Sequence, residues 1–270
     1  MEDSHIEPQE QRIFWTHDLS IAFGGLMALD GVSLHVHRGE ILGLIGPNGS
    51  GKTTIFNIIT GIYTPTRGDF FFEGQPLRGR TPHEIARCGI ARTFQISRLC
   101  LNLSLLDNVF IGMHQRQKRG LADAVIRRRL LRQEVKAARD KAFSLLDTFN
   151  PELVSKAGKP AGALPQIDRR RVEICRALAM EPKLLLLDEP SAGMNPGETA
   201  ELMEDIRKVQ RASVGISVVI IEHDMQVIQA ITERVAALNH GRKIAEGTFE
   251  EVARNREVRE AYLGKRAGKL

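Results

Sequence analysis

The sequence predicts an α/β domain with a helical insert, on three observations. A glycine-rich loop, Gly46-Pro47-Asn48-Gly49-Ser50-Gly51-Lys52-Thr53-Thr54, stands between the apolar run Ile41–Ile45 and a helix-patterned segment, Thr54–Thr60. A second apolar run, Leu184-Leu185-Leu186-Leu187, ends on Asp188 and Glu189, as suits a strand buried on both faces of a parallel sheet. Between them Leu131, Val135, Ala138, Ala142, Leu145 and Phe149 recur at steps of three and four, the apolar face of an amphipathic helix.

The chain has 270 residues, 42% hydrophobic, with a net charge of +5, enough for a substantial core and only a modest positive balance. Arg127-Arg128-Arg129 and Arg169-Arg170-Arg171 read as solvated helix faces. With 5% aromatic residues and none interleaved with these runs, nothing argues for nucleic acid. No stretch approaches the apolar length of a membrane span. Met1 to Gln11 is polar and acidic and lacks the apolar centre of a signal peptide. Cys88, Cys100 and Cys175 show no metal-ligand spacing and read as reduced thiols of a cytosolic protein.

Taken in order, Ile13–Phe23 reads as a strand and Gly24-Gly25 as a turn. Val32–Val36 and Ile41–Ile45 read as further strands. Thr64 to Gly68 is turn chemistry before a strand at Asp69–Glu73. Pro82–Cys88 is a short helix with proline in its first turn, and Ile90 to Gln95 is a strand ending. The long basic helix follows, with Pro151 and Pro160 at its exit. Beyond Leu184–Glu189 come a strand at Ser217–Ile221, a helix, a strand at Arg234–Leu238, a turn at Gly241 and two short helices.

The glycine loop matches the P-loop pattern, Gly-x-x-x-x-Gly-Lys-Thr, in the strand-loop-helix context that the motif requires. Its glycines let successive N–H groups curl toward phosphate oxygens, and the helix N-terminus adds partial positive charge. Lys52 is expected on the β- and γ-phosphates and the Thr53 hydroxyl on Mg²⁺. Asp188 would hold that ion through water, and Glu189 is placed to accept the proton of the hydrolytic water. His223, in Glu222-His223-Asp224, ends a core strand at the rim where ligands bind in open α/β sheets, in reach of a γ-phosphate. Phe23 suits stacking on adenine, though a lone Phe also suits a core. Gln95 suits Mg²⁺ or the attacking water, though in isolation it also suits plain surface.

In this order, Phe23, the P-loop, Thr93-Phe94-Gln95, Leu187-Asp188-Glu189-Pro190 and His223 resemble the ATP-binding subunits of ABC transporters. A narrower resemblance is to the LivG-type ATPase of branched-chain amino-acid importers. It is carried by Phe23-Gly24-Gly25-Leu26, Ile90 to Gln95, Glu189 to Pro196, Ile221 to Met225 and Ala261-Tyr262-Leu263-Gly264. The resemblance implies an α/β P-loop ATPase core of ABC type (13–95 and 181–270), with an antiparallel β subdomain and a helical subdomain (96–180), after a polar tail (1–12). It implies ATP and Mg²⁺, and a second ATPase subunit arranged head to tail. It also implies membrane permease subunits, indirectly a solute-binding protein, and a place on the cytoplasmic face of the cell membrane. Two rival readings are a regulatory or weakly active subunit and a non-transport ABC ATPase acting on nucleic acid or ribosomes.

The departure lies in the signature segment. Where that family has Leu-Ser-Gly-Gly-Gln, or Leu-Ser/Ala-Tyr-Gly-Gln, this chain has Leu164-Pro165-Gln166-Ile167-Asp168. Pro165 replaces a hydroxyl and lacks its own N–H. Ile167 would fill the space of a γ-phosphate, and Asp168 would repel it by about 4 kcal/mol at ~4 Å. As a helix N-cap, however, Asp168 is favourable. The expectation is a segment that keeps its fold and loses its phosphate contact, leaving one impaired site per dimer.

Overall fold

A computed structural model of the chain describes residues 11–94, 99–113, 128–212 and 215–263. In chain order, β1 (Arg12–Phe23), β2 (Leu26–Val32), β3 (His35–His37) and β4 (Ile41–Ile45) lead through the glycine loop into α1 (Lys52–Ile59). Then come β5 (Arg67–Phe72), β6 (Gln75–Pro76), α2 (Pro82–Cys88) and β7 (Ile90–Arg92). The helices α3 (Leu105–Met113), α4 (Arg128–Phe149), α5 (Glu152–Ser155) and α6 (Gln166–Leu178) precede β8 (Leu184–Asp188). The chain continues through α7 (Pro196–Ala212), β9 (Ser217–Ile221), α8 (Met225–Ile231), β10 (Arg234–Asn239), β11 (Arg242–Gly247), α9 (Phe249–Arg254) and α10 (Arg256–Leu263).

Two sheets result. The antiparallel one runs β2-β1-β5-β6, with β3 also on β1. The other runs β11-β10-β4-β9-β8-β7, parallel except at the β10–β11 edge. Besides the two-residue β6, two places depart from the sequence expectation. The expected strand Val32–Val36 is divided: Leu26–Val32 pairs with one part of β1 and His35–His37 with another. The chain breaks at Ser33-Leu34, where the Thr16 hydroxyl bridges, donating to Val32 O at 3.0 Å and accepting from Leu34 N–H at 3.0 Å. The second is β11, an edge strand absent from the expectation because its Arg-Lys-Ile-Ala-Glu-Gly sequence has no apolar face to bury.

Alternation along the parallel strands divides the interior into two cores. Leu42, Leu44, Leu184, Leu186, Val219 and Ile221 face one, where Ile55, Phe56, Ile58 and Ile59 of α1 are packed with the antiparallel sheet. Ile41, Ile45, Leu185, Leu187, Val218 and Ile220 face the other, with the helical layer. A period of two buried on both sides is what a covered parallel sheet demands. At 25 cal/mol/Å², each such leucine or isoleucine contributes about 2 kcal/mol.

In α4 the buried stripe lies nearer the C-terminus than the periodicity suggested. Ala142, Leu146 and Phe149 are sealed in, while Val135 is exposed; Leu131 lies outside the described side chains. The Arg169–Arg171 run is also not a solvated face: Arg170 and Arg171 are buried in ion pairs. Arg127-Arg128-Arg129 lies outside the described side chains. Among the described residues, no helix is long and apolar enough to cross a membrane.

Candidate active site

The glycine loop joins the end of β4 to the start of α1, and two of its glycines are there for space. A Cβ on Gly46 would sit 2.3 Å from the Leu238 carbonyl oxygen, and one on Gly51 would sit 2.6 Å from Leu29 Cδ2. Gly51 is also the N-cap of α1, left-handed at φ 107° and without a side-chain cap. The first amides of α1 therefore receive no side-chain cap from Gly51, the local condition for an anion site. Pro47 is half-buried, Asn48 and Gly49 are exposed, Ser50 is buried, Thr53 is exposed and Thr54 is half-buried. The Ser50 hydroxyl has no hydrogen-bond partner among the described residues.

Lys52 is only 6% exposed, and its Nζ donates to Gly46 O at 2.7 Å and Pro47 O at 3.0 Å. It lies folded over its own loop. Burial pushes its pKa down, while Glu189 and Asp188 pull it back up. Both carboxylates thus share one electrostatic environment with the lysine. Parallel pairing of β8 with β9 sets Asp188 opposite Ile221, which brings Glu189 and His223 to the same sheet edge. Glu189 Oε1 lies 2.7 Å from His223 Nε2, and with Glu189 ionised the imidazole donates. Glu189 itself adopts φ 49°, an uncommon backbone state for a non-glycine residue, anchored by its N–H donating to Ile221 O at 2.9 Å.

The structure thus brings Lys52, Asp188, Glu189 and His223 together. Phe23 stands on the other sheet, 44% exposed at the end of β1, with its ring edge-on to Tyr63 at 5.0 Å. Gln95 lies outside the described residues. Three further side chains belong to this rim; they lie in stretches that carry the family resemblance, but the sequence assigns them no role. Glu222 is buried, its pKa pushed up by desolvation, and accepts the Ser191 N–H at 2.8 Å, fixing the turn after Glu189. Tyr262 of α10 meets the Gly46 N–H; burial raises its pKa and that N–H lowers it. Arg92 of β7 forms an ion pair with Asp188, its Nη2 2.7 Å from Oδ2. Each link spans tens of residues or more, so no local pattern announces it.

The donor set suits a magnesium ion arriving with phosphates: one hydroxyl, Thr53, and one carboxylate, Asp188. Among the described residues there is no group of three or more His, Cys, Asp or Glu of the kind that forms an all-protein cage.

The signature segment differs from its expectation. Pro165, not Asp168, is the N-cap of α6, and Asp168 falls inside the first turn. Asp168 is 3% exposed, with Lys156 Nζ at 2.8 Å and Arg171 Nη1 at 3.3 Å. Its charge is neutralised inside the fold, so the expected repulsion of a phosphate has no outward-facing charge behind it. Ile167 is buried as well and does not occupy the outer face. The residues presented outward are Pro165 and Gln166, the latter donating from Nε2 to Ala192 O at 2.8 Å.

Comparison with known proteins agrees with this geometry. Residues 29–192 match the family model described as ABC transporter, and residues 242–268 match that of the branched-chain amino acid ATP-binding cassette transporter. The chain is 39% identical over 254 residues to the high-affinity branched-chain amino acid transport ATP-binding protein LivG of Escherichia coli K12, covering 94% of this chain and 98% of that protein. It is 37% identical over 246 residues to BraF of Pseudomonas aeruginosa, with 91% and 95% covered. Among solved structures, a nucleotide-free ATP-binding cassette from an ABC transporter superposes with a TM-score of 0.81 at 31% identity, covering 94% of this chain and 100% of that one. Another cassette, in its ADP conformation, superposes at 0.80 with 30% identity, covering 94% and 99%.

Proposed function

Because this chain belongs to the ABC transporter family of ATP-binding subunits, we propose that it hydrolyses ATP to energise an importer of branched-chain amino acids or related small polar solutes. The solute class is drawn from what LivG and BraF are named for and from the match of residues 242–268. One observation carries the chemistry: Glu189, 2.7 Å from His223, shares an edge and an electrostatic field with Lys52.

In this reading the triphosphate lies along the glycine-loop amides from Gly46 to Thr54, with the α1 N-terminus behind it. Lys52 leaves the Gly46 and Pro47 carbonyls for the β- and γ-phosphates. This exchange is favourable because a charged donor gains charged acceptors in place of neutral ones. Glu189 takes the proton of the attacking water, and His223 orients that carboxylate and the γ-phosphate. Phe23 offers a ring face to adenine. Thr53, Gln95 and Asp188 would hold Mg²⁺, which when bound offsets the charge developing on the phosphate oxygens.

The partners we infer are a second ATPase subunit closing head to tail over the nucleotide, and membrane permease subunits fed by a solute-binding protein. The chain would sit peripherally on the cytoplasmic face of the membrane. We also take 96–180 as the helical subdomain that presents the signature segment. Of the three sequence arguments for an impaired opposite site, only Pro165, exposed and without a hydroxyl, still supports it. The test is purification of the intact complex: ATPase activity that rises when permease and solute-loaded binding protein are reconstituted with this chain is expected. Co-purification with nucleic acid and no response to the permease would overturn the proposal.

A further inference from the structure

Two carboxylates at the end of a buried strand call for a cation, and for Asp188 the chain already supplies one. Arg92 Nη2 lies 2.7 Å from Asp188 Oδ2, with the two side chains 5% and 3% exposed. The guanidinium is held from other directions too. Nη1 donates to Asn57 Oδ1 of α1 at 2.7 Å, and the rings of Phe56 and Phe94 lie 5.3 and 5.1 Å from its carbon. A sealed pair of this kind pays heavily in desolvation, and apolar side chains of similar volume often serve a fold as well or better, so packing alone does not call for it.

The parallel with Lys52 supplies a second role for the carboxylate. Lys52 rests on the carbonyls of its own loop where phosphates are to bind, and Arg92 rests on the carboxylate where the metal is to bind. We propose that Arg92 is a positioning residue that holds Asp188 in place while no metal is bound and yields the carboxylate when Mg²⁺ arrives with the nucleotide. Asn57 and the two rings retain the guanidinium after the exchange, so the released charge keeps partners. Arg92 thereby competes with the metal for one carboxylate and sets the Mg²⁺ concentration at which the site closes. The inference rests on the nucleotide reading given above.

The experiment is a fluorescence titration of the full chain with a trinitrophenyl-ATP probe, first in EDTA and then with increasing Mg²⁺. Arg92→Gln is expected to lower the Mg²⁺ concentration at half-effect about tenfold, the equivalent of one weakened competing charge interaction. Probe affinity in EDTA should stay within about twofold of the unsubstituted chain. A structural role alone would move the melting temperature and leave the Mg²⁺ half-point alone; that result, or a raised half-point, overturns the proposal. Arg92→Lys keeps the charge but loses the planar fork that serves Asp188 and Asn57 from separate nitrogens, so it decides the matter if the glutamine variant does not fold. It should shift the half-point about threefold in the same direction, and no shift overturns the proposal. If the unsubstituted chain binds no probe under any condition, the nucleotide reading has failed, and the two failures are distinguishable.

Discussion

The start of α1 and the start of α6 lie in one chain and are made of opposite materials. At α1 the N-cap is a glycine with no side chain to spend on the helix amides, a lysine is parked on neutral carbonyls, and a buried serine hydroxyl has no partner among the described residues. At α6 the N-cap is Pro165, Gln166 is tied to Ala192, and Asp168 is drawn inward to Lys156 and Arg171. Arg171 continues to Asp205 at 2.8 Å and Glu201 at 3.1 Å, which fastens α6 to α7. The first turn of α6 thus answers its helix dipole with its own carboxylate, whereas the Gly51 cap of α1 offers no side chain to its helix. In the proposed reading one terminus is a receptor and the other a strut that presents a surface. The difference lies in where the polar atoms are satisfied, not in charge count.

Substitutions on each side sharpen this contrast. The largest effect on binding is expected at α1: Lys52→Ala should weaken ATP by about a hundredfold, the loss of two charge-assisted hydrogen bonds, with little change in melting temperature. Calorimetric titration checks it, and comparable affinity would mean that the lysine does not leave its loop. At α6 the loss should fall on stability instead. Asp168→Ala removes the buried partner of Lys156 and Arg171 and should cost about 3 kcal/mol in urea unfolding. Mg·ATP affinity of the single chain should stay within about twofold. A binding defect without a stability defect would place Asp168 in the phosphate site after all. The smallest effect is a gain: Pro165→Ser restores a hydroxyl to the exposed start of α6. It should raise turnover of the assembled dimer about threefold, measured by phosphate release, and no gain would acquit Pro165 of impairing the opposite site.

The contrast also marks what a linear reading can reach. The P-loop, the Leu184–Glu189 strand and the Ser217–Ile221 strand announce themselves because their chemistry and their periodicity are local. The helix Pro82–Cys88 does so too, since Thr81 and Glu84 form its capping box in adjacent sequence. The helix start expected at Asp168 lies three residues earlier, at Pro165, because an acidic residue near a helix start is favourable both as N-cap and in the first turn. Only the Lys156 and Arg171 partners settle which it is. The Arg170-Arg171 pair reads as a solvated face because Glu173, three residues on, suits an exposed i,i+3 pair equally well, while Asp205 meets Arg171 only once α6 docks on α7. Arg92 and Asp188, 96 positions apart, meet through the β7–β8 register, which no spacing encodes.

The central claim is that Glu189 performs the chemistry at a triphosphate bound by Lys52 and the start of α1. Its most direct test is Glu189→Gln in this chain, assembled with its partner subunits, with nucleotide affinity and single-turnover hydrolysis measured on the same preparation. Affinity within about threefold of the unsubstituted complex, with hydrolysis slowed about a thousandfold, is the predicted result. Hydrolysis that continues at more than half the original rate would contradict it.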